Sequence, residues 1–238
     1  MQAATYIALS SQMALSRQMD VVANNLANAS TPSFKAERVL FAEYLDRKGS
    51  TPLAFVQDFG SSRDTSQGPL SRTGNSLDIA LQGEGYLKVD TPFGTRYTRN
   101  GRLLLDATGQ LVTAQGYAVL GAGDQPINIP TNAKNIAITR DGTISTDQGE
   151  AGQIEIVQFP DERALRPSAG GLYVTEAQPV PASNTLVLQG MIEGSNVEPI
   201  IEMTRLMKIA QSYSSAKDLM DGENTRITNA IDKLGKVA

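Results

Sequence analysis

The sequence predicts an α+β protein in which N- and C-terminal helices pair as a coiled coil and flank a central all-β domain. All prolines lie between Pro32 and Pro199, so both ends of the chain are free to be helical. Both ends also repeat apolar residues at helical spacing, whereas the middle consists of short apolar runs separated by turn residues. The predicted organisation is a helix over 1–30, an extended linking segment over 31–74, a β domain over 75–194 and a second helix over 195–238, with the two helices forming one coiled-coil core domain.

The N-terminal helix is predicted from composition and spacing. The first 30 residues contain neither glycine nor proline. Their apolar side chains recur every three or four residues, which places them in a stripe on one helix face. The stripe has two runs: Tyr6, Leu9 and Met13, then Leu15, Met19, Val22 and Leu26. Thr31-Pro32 should end the helix, because the residue before a proline is pushed out of the helical region.

The next two segments change in character. Residues 31–74 are rich in Ser, Thr, Gly and Pro but also carry large apolar residues, which favours an extended segment that packs locally. From residue 75 onwards, runs such as LDIAL, GYLKVDT, TRYTR, QIEIVQF and TLVLQGMIE have the length of strands. Asn100-Gly101 and Asp141-Gly142 are predicted to form hairpin turns between such strands.

A long helix is predicted after Asn196, with Asn196 as its N-cap and Pro199 in the first turn. Alternate steps of three and four residues define a predicted seam that is mostly apolar. Its members are Met203, Leu206, Ala210, Tyr213, Lys217, Met220, Asn224, Ile227, Ile231 and Leu234. A helix of this length is longer than a small β domain is wide, so we expect it to pair with the N-terminal helix. A single exposed helix pair is marginally stable, and neighbours from other subunits are therefore expected.

Composition excludes several classes of function. The chain contains no His, Cys or Trp, which removes a Ser-His-Asp triad, a Cys nucleophile, a Cys or His zinc site and any disulfide. Its net charge of −4 argues against a nucleic-acid partner. No apolar stretch is long enough to span a bilayer, and the N-terminus lacks the basic region and solid apolar region of a secretory signal. No cofactor and no metal site is predicted.

The remaining enzyme hypotheses rest on Ser, Lys and carboxylates. Ser214 and Lys217 form an S-x-x-K string, but the strings that accompany it in penicillin-recognising enzymes are missing. A carboxylate-dependent glycosidase built from residues such as Asp78, Glu84, Asp90 and Asp106 stays open, although no aromatic platform for sugars accompanies them. A secreted β-domain binding module also stays open, but it leaves the two long helices without a purpose.

Four segments in order carry a family resemblance: VVANNLANASTPSFK, TGNSLDIALQGEGYLKV, YTRNGRLLLDATGQLVTAQGYAVLG and IEGSNVEPIIEMTRLM. Together they resemble the bacterial flagellar rod and hook family, and within it the proximal rod proteins of the basal body most. Distal rod and hook proteins are the alternatives, and hook proteins are usually longer. One departure is Ser33, at a position where the family commonly has glycine, which argues against a positive φ angle there.

The resemblance implies a non-enzymatic structural subunit that polymerises into the torque-transmitting rod of the flagellum. Its implied partners are further copies of itself, other proximal rod proteins, the distal rod protein and the flagellar type III export apparatus. The implied location is the basal-body rod where it crosses the periplasm, reached without a cleaved signal peptide.

Two sets of residues are predicted to form the subunit interface. In the N-terminal helix they include the asparagines of the NNLAN motif, whose short amides can bind backbone groups of adjacent helices. This set is Leu15, Met19, Val22, Asn25, Leu26 and Asn28. In the C-terminal helix the set is Met203, Leu206, Ala210, Tyr213, Met220, Ile227, Ile231 and Leu234.

Overall fold

The structure is a computed structural model that describes residues 2–46 and 53–235, with side chains over 8–42, 60–229 and 232–233. The chain folds into two compact units. The helical unit comprises the described parts of residues 1–29, 36–64 and 197–238. The β unit comprises residues 30–35 and 65–196. Among the described residues, no helix combines the length and apolar character that crossing a membrane requires.

The helical unit is built on two terminal helices and one hairpin. Helix α1 spans Gln2–Ala27, and helix α2 spans Pro199–Gly235. The two helices pack together, and α1 also packs against the hairpin formed by β1 (Glu37–Asp46) and β2 (Leu53–Arg63). The predicted α+β class, with its paired terminal helices, is therefore confirmed.

The hairpin comes from the segment that the sequence presents as extended and linking. Strands β1 and β2 pair antiparallel from Glu37 opposite Arg63, with a bulge between Leu40 and Phe41. Extended backbone must place its N–H and C=O groups somewhere, and pairing the two halves of the segment satisfies both. The linking segment therefore supplies the hairpin against which α1 packs, in addition to α2.

The start of α2 differs from the predicted cap. The helix begins at Pro199, and the N–H of Glu202 donates to the carbonyl of Glu198. Proline suits this first position because its missing N–H has no partner inside the helix. Asn196 lies before the helix, and its side chain donates to the backbone oxygen of Ser66 at 3.1 Å. The prediction of Asn196 as the N-cap is therefore wrong, because that amide is used within the β unit.

The β unit contains short strands, as the central runs predict. Its strands are β3 (Leu70–Arg72), β4 (Ile79–Gln82), β5 (Tyr86–Thr91), β6 (Gly94–Thr98), β7 (Leu103–Leu105), β8 (Leu111–Thr113), β9 (Ala118–Val119), β10 (Ile136–Ile138), β11 (Thr143–Thr146), β12 (Gly149–Gln153), β13 (Ile156–Gln158), β14 (Arg166–Ser168), β15 (Leu172–Val174), β16 (Val180–Pro181), β17 (Leu186–Gln189) and β18 (Met191–Glu193). The largest sheet follows the order β14-β15-β6-β5-β9-β8-β7, with β13 paired to β5 and β16. Strands β10, β11 and β12 form a separate sheet, and β17 pairs with β4 and β18 with β3.

Two apolar clusters fill this unit. The larger is aliphatic and includes Ile79, Leu87, Leu103, Leu111 and Ile144, all fully buried. The smaller cluster is aromatic, with edge-to-face contacts between ring centroids. Its contacts are Tyr86–Phe159 at 6.1 Å, Tyr86–Tyr173 at 5.5 Å and Tyr97–Phe159 at 4.8 Å.

The two predicted hairpin turns have different outcomes. Asp141-Gly142 joins β10 to β11, which pair antiparallel with Ile138 opposite Ile144, so this turn is confirmed. Asn100-Gly101 connects β6 to β7, which are not neighbours in their sheet, so the predicted hairpin is wrong there. The glycine is instead required by close packing. A Cβ atom on Gly101 would lie 1.9 Å from the carbonyl oxygen of Ile79.

This close approach yields a prediction. Gly101→Ala should lower the free energy of unfolding by about 3 kcal/mol or more, because the methyl group would force the buried Ile79 backbone to move. Gly116→Ala is the matched control: its Cβ meets no atom within 4 Å, and only its positive φ of 84° opposes the change. That strain costs about 1–2 kcal/mol. Urea unfolding of the two variants checks the order, and equal stability would contradict the packing argument.

Candidate subunit interface

The side chain of Asn25 joins three elements of the helical unit. Its amide nitrogen donates to the carbonyl of Glu37 on β1 at 2.9 Å, and its amide oxygen accepts from the N–H of Glu37 at 2.9 Å. The same nitrogen donates to Oε2 of Glu202 on α2 at 3.3 Å. Asn25 is almost fully buried, so these bonds are shielded from water. One amide thus binds the hairpin to both terminal helices.

Glu202 completes this connection from the side of α2. Its side chain is buried, and its Oε1 accepts a hydrogen bond from Nη1 of Arg205 at 2.5 Å. A buried carboxylate needs such partners because an uncompensated charge away from water is costly. Glu202 therefore places a charged residue in the contact between the helices. Apolar periodicity alone does not indicate such a position.

The residues of α2 that face inward form a row, and this row differs from the predicted seam at every second position. The buried or half-buried residues, here called the inward row, are Glu202, Leu206, Ile209, Tyr213, Ala216, Met220, Glu223 and Ile227. They recur at alternate steps of four and three, which is a heptad pattern. Leu206, Tyr213, Met220 and Ile227 belong to both rows, whereas Met203, Ala210, Lys217 and Asn224 are exposed. Those four residues therefore do not line the helix pair within the chain, while the role of Met203 and Ala210 in a subunit interface stays a prediction.

The other predicted interface residues lie as follows. On α1, Val22 and Asn25 are buried and Leu15, Met19 and Leu26 are half-buried, and Asn28, just after the helix, is half-buried as well. The Asn28 amide donates to the carbonyl of Asn24 in the last turn of α1, while the Asn25 amide binds a strand backbone. Ile231 and Leu234 fall in α2, but their side chains lie outside the described residues.

A second apolar face of α2 was missed by the sequence reasoning. Ile200, Met203 and Met207 are 77%, 45% and 66% exposed. With exposed Ala210 they form what we call the outer stripe, spaced three, four and three residues apart. The signal was present in the sequence as a second run at helical spacing. The sequence reasoning assigns Met203 and Ala210 to the predicted seam because they keep steps of three and four residues with Leu206 and Tyr213.

The enzyme hypotheses gain no support from the described geometry. Ser214 and Lys217 are both exposed, so neither is in the apolar surroundings that would turn a lysine into a base. Asp106 accepts hydrogen bonds from the Thr108 hydroxyl and the Gln110 N–H, and these hold its pKa below the usual range. A general acid of a glycosidase requires the opposite direction of shift. The Asp106 carboxylate therefore stabilises a turn through these hydrogen bonds.

A buried ionic cluster ties together distant parts of the β unit. The Glu193 side chain is fully buried and accepts from Nζ of Lys35 at 2.6 Å, Nε of Arg99 at 2.7 Å and the N–H of Gly68 at 3.0 Å. Lys35 also donates to the carbonyl of Ser66, and Arg99 donates to the carbonyls of two glycines. Burial lowers the pKa of Lys35, while Glu193 opposes that shift. The cluster fixes how four distant segments meet.

Ser33 lies beside this cluster and corrects an expectation. Its φ angle is 57°, so the backbone is left-handed although the residue is not glycine. Its N–H donates to the carbonyl of Glu193 at 2.9 Å, and its hydroxyl donates to the carbonyl of Arg99 at 2.8 Å. These buried hydrogen bonds offset the steric cost of a left-handed serine. The expectation that serine argues against a positive φ is therefore wrong.

Three family descriptions match this chain. "Flagella basal body rod protein" matches residues 6–35, which cover most of α1 and the turn after it. "Flagellar hook protein FlgE/F/G D1 domain" matches residues 80–146 in the β unit. "Flagellar basal body rod FlgEFG protein C-terminal" matches residues 188–225, which include most of α2.

Relatives match over nearly the whole chain. A protein of Caulobacter vibrioides named "Flagellar basal-body rod protein FlgF" is 38% identical, and the match covers 100% of both chains. A protein of the same name in Rhizobium meliloti is 35% identical over 99% of both chains. "Flagellar basal-body rod protein FlgG" of Bacillus subtilis is 32% identical, over 96% of this chain and 95% of its own.

The role of Asn25 can be tested directly. Asn25→Ala should lower the free energy of unfolding of the helical unit by at least about 1–3 kcal/mol, since it leaves the Glu37 backbone and Glu202 without their shared partner. Asn24→Ala is the matched control, because Asn24 is exposed at the preceding position of the same helix. It should change stability by no more than about 0.5 kcal/mol. Urea unfolding followed by helix circular dichroism gives both values, and equal losses would contradict the assigned role.

Proposed function

The chain belongs to the flagellar basal-body rod protein family, and from this membership we propose that it polymerises through its terminal helices into the rod that transmits motor torque. It is a structural rod subunit of the flagellar basal body. Within the family we assign it to the proximal rod proteins. Three FlgF relatives support this assignment, because they match at 35–38% identity over 99–100% of the chain.

The observation that carries the proposal is the apolar surface left on both terminal helices. On α1, Leu9 and Met13 are exposed, and on α2 the outer stripe is exposed as well. Exposed apolar side chains that recur on one helix face are costly in water and typical of a surface that another protein covers. In a rod, neighbouring subunits would supply that cover.

We propose no catalytic role for the chain. The charged groups that the structure buries are engaged in holding elements together: Glu193 holds Lys35 and Arg99, and Glu202 binds Asn25 and Arg205. A shaft under torque requires such fixed internal connections. The proposed partners are further copies of the chain and the other axial proteins of the rod.

We further propose that the flagellar export apparatus delivers the chain without removing a signal peptide, and that the rod lies where the basal body crosses the periplasm. Helix α1 supports this proposal because it packs inside the folded helical unit. Its Val21, Val22 and Asn25 are buried in the helical unit. Removal of α1 would leave β1 and α2 without the residue that joins them.

The first test concerns assembly. Leu206→Asp places an unpaired charge in the inward row of α2, where its desolvation costs more than that of a neutral polar group. It should prevent incorporation into basal bodies and abolish swimming, while the β unit stays folded and resists limited proteolysis. Leu104→Asp makes the same chemical change at an exposed position of the β unit and should keep incorporation. Normal rods from Leu206→Asp would contradict the role of the helix pair.

The second test concerns processing. Mass spectrometry of the chain from isolated basal bodies should find α1 intact in the mature polypeptide. A mature N-terminus beyond about residue 15 would indicate a cleaved signal peptide of ordinary length instead. Such a result would contradict the proposed export route but would leave the rod assignment untouched.

A further inference from the structure

The exposed methionines of the chain lie on its terminal helices. Met13 of α1 is 67% exposed, and Met203 and Met207 of α2 are 45% and 66% exposed. The other methionines whose side chains the structure describes are half-buried: Met19, Met191 and Met220. Among the described side chains, the β unit therefore has no exposed methionine.

These methionines belong to the apolar surface of the two helices. Met203 and Met207 are two of the four residues of the outer stripe. On α1, Met13 follows the exposed Leu9 by four residues, and residues four apart share one helix face. Methionine is common on surfaces that bind other proteins, because its side chain is flexible and polarizable. Each terminal helix thus places sulfur in the surface that carries the proposed function.

The sulfur atom of methionine reacts with hydroperoxides. The chain has no cysteine, so its thioethers contain all of its sulfur. A lone pair of Sδ attacks the terminal oxygen of the hydroperoxide, and the O–O bond breaks. The sulfur is oxidised to a sulfoxide, and the peroxide is reduced to an alcohol, or to water when it is hydrogen peroxide. The proton of the transferred oxygen goes to the departing oxygen, so no further reactant is needed.

We propose that Met13, Met203 and Met207 form a hydroperoxide-sensitive modification site, and that their oxidation keeps a subunit out of the rod. This inference rests on the proposed function and deepens it by naming how the same surface is regulated. A sulfoxide is polar, and burying a polar group without a hydrogen-bond partner is costly. Oxidation therefore weakens the contact of the helices with another subunit. The fold itself is kept, because the exposed side chains contribute little to packing within the chain.

The modification acts on free subunits and is reversible. In the rod, a neighbouring subunit would cover the apolar surface and keep peroxide away from the sulfur. A free subunit has no such cover, and Met13 and Met207 are the most exposed of its described methionines. Methionine sulfoxide reductases return the sulfoxide to a thioether, after which the subunit regains its apolar surface.

The first experiment measures oxidation of the purified full-length chain by hydrogen peroxide. Peptide mass spectrometry at successive times gives the rate at each methionine. Met13 and Met207 should oxidise at least about fivefold faster than Met19 and Met220, because oxidation follows exposure. The circular dichroism of the helices should stay unchanged while the exposed sites react. Equal rates, or loss of the helical signal as Met13 and Met207 react, would overturn the proposed site.

The second experiment lets two chains compete for the same rods. A triple variant with Met13→Leu, Met203→Leu and Met207→Leu lacks the reactive sulfur but keeps apolar side chains. It is produced together with the wild-type chain in the same cells, with and without hydrogen peroxide, and both chains are counted in isolated basal bodies. Peroxide should raise the ratio of variant to wild type at least about threefold, because only the wild type gains sulfoxides at these positions. General damage by peroxide affects both chains alike, so an unchanged ratio would overturn the regulation.

A permanent polar group gives a matched pair of variants. Met207→Gln places an amide where a sulfoxide would form. Leu219→Gln introduces the same amide at a position of α2 that is 69% exposed but lies outside the stripe. Met207→Gln should lower incorporation into basal bodies at least about tenfold relative to Leu219→Gln, because it puts a polar group in the covered surface. Equal incorporation of the two variants would contradict the inference.

These outcomes separate the inference from the proposed function. If the wild-type chain is absent from basal bodies even without peroxide, both proposals fail. If the chain is present but the ratio of variant to wild type does not respond to peroxide, the regulation fails and the rod function stands.

Discussion

The helical unit depends on the hydrogen bonds of Asn25. Its amide reaches the backbone of β1 and the carboxylate of Glu202, whose position in the chain is 177 residues away. This hydrogen bond joins the two terminal helices at one position along their length. Shifting α2 by one turn relative to α1 would break it. Apolar packing alone would tolerate such a slip, because a heptad row repeats. A buried polar contact gives the pair a defined alignment.

The β unit uses the same principle with charges. Glu193 is fully buried and binds one lysine, one arginine and one backbone N–H from three distant segments. Lys35, Gly68 and Glu193 each lie a few residues from a point where the chain passes between its two units. Replacing a buried ion pair by apolar residues is often neutral for stability, whereas removing one partner is costly. We interpret the cluster as selecting one arrangement of these strands, because any other arrangement would leave a buried charge without its partner.

Both devices suit a structural subunit of the basal-body rod, whose parts must keep one arrangement. The charged groups of the helix contact and the ionic cluster are satisfied by partners inside the chain, whereas both terminal helices keep exposed apolar side chains. Stability within the subunit thus comes from satisfied polar contacts and the β core. The exposed apolar surface of the helices is where we propose that other subunits bind.

The sequence by itself determined the class of fold, because helical and strand periodicities are local properties of the chain. It correctly indicated paired terminal helices, a β-rich centre and the Asp141-Gly142 hairpin. Only the tertiary structure decided which face of α2 turns inward. Glu202 lies on that face and accepts a hydrogen bond from Asn25, and a pattern of apolar residues does not include a buried carboxylate. It also decided that Gly101 serves close packing against Ile79, and that Ser33 adopts a left-handed backbone. Those two outcomes depend on carbonyl groups from distant segments, which no local pattern of residues contains.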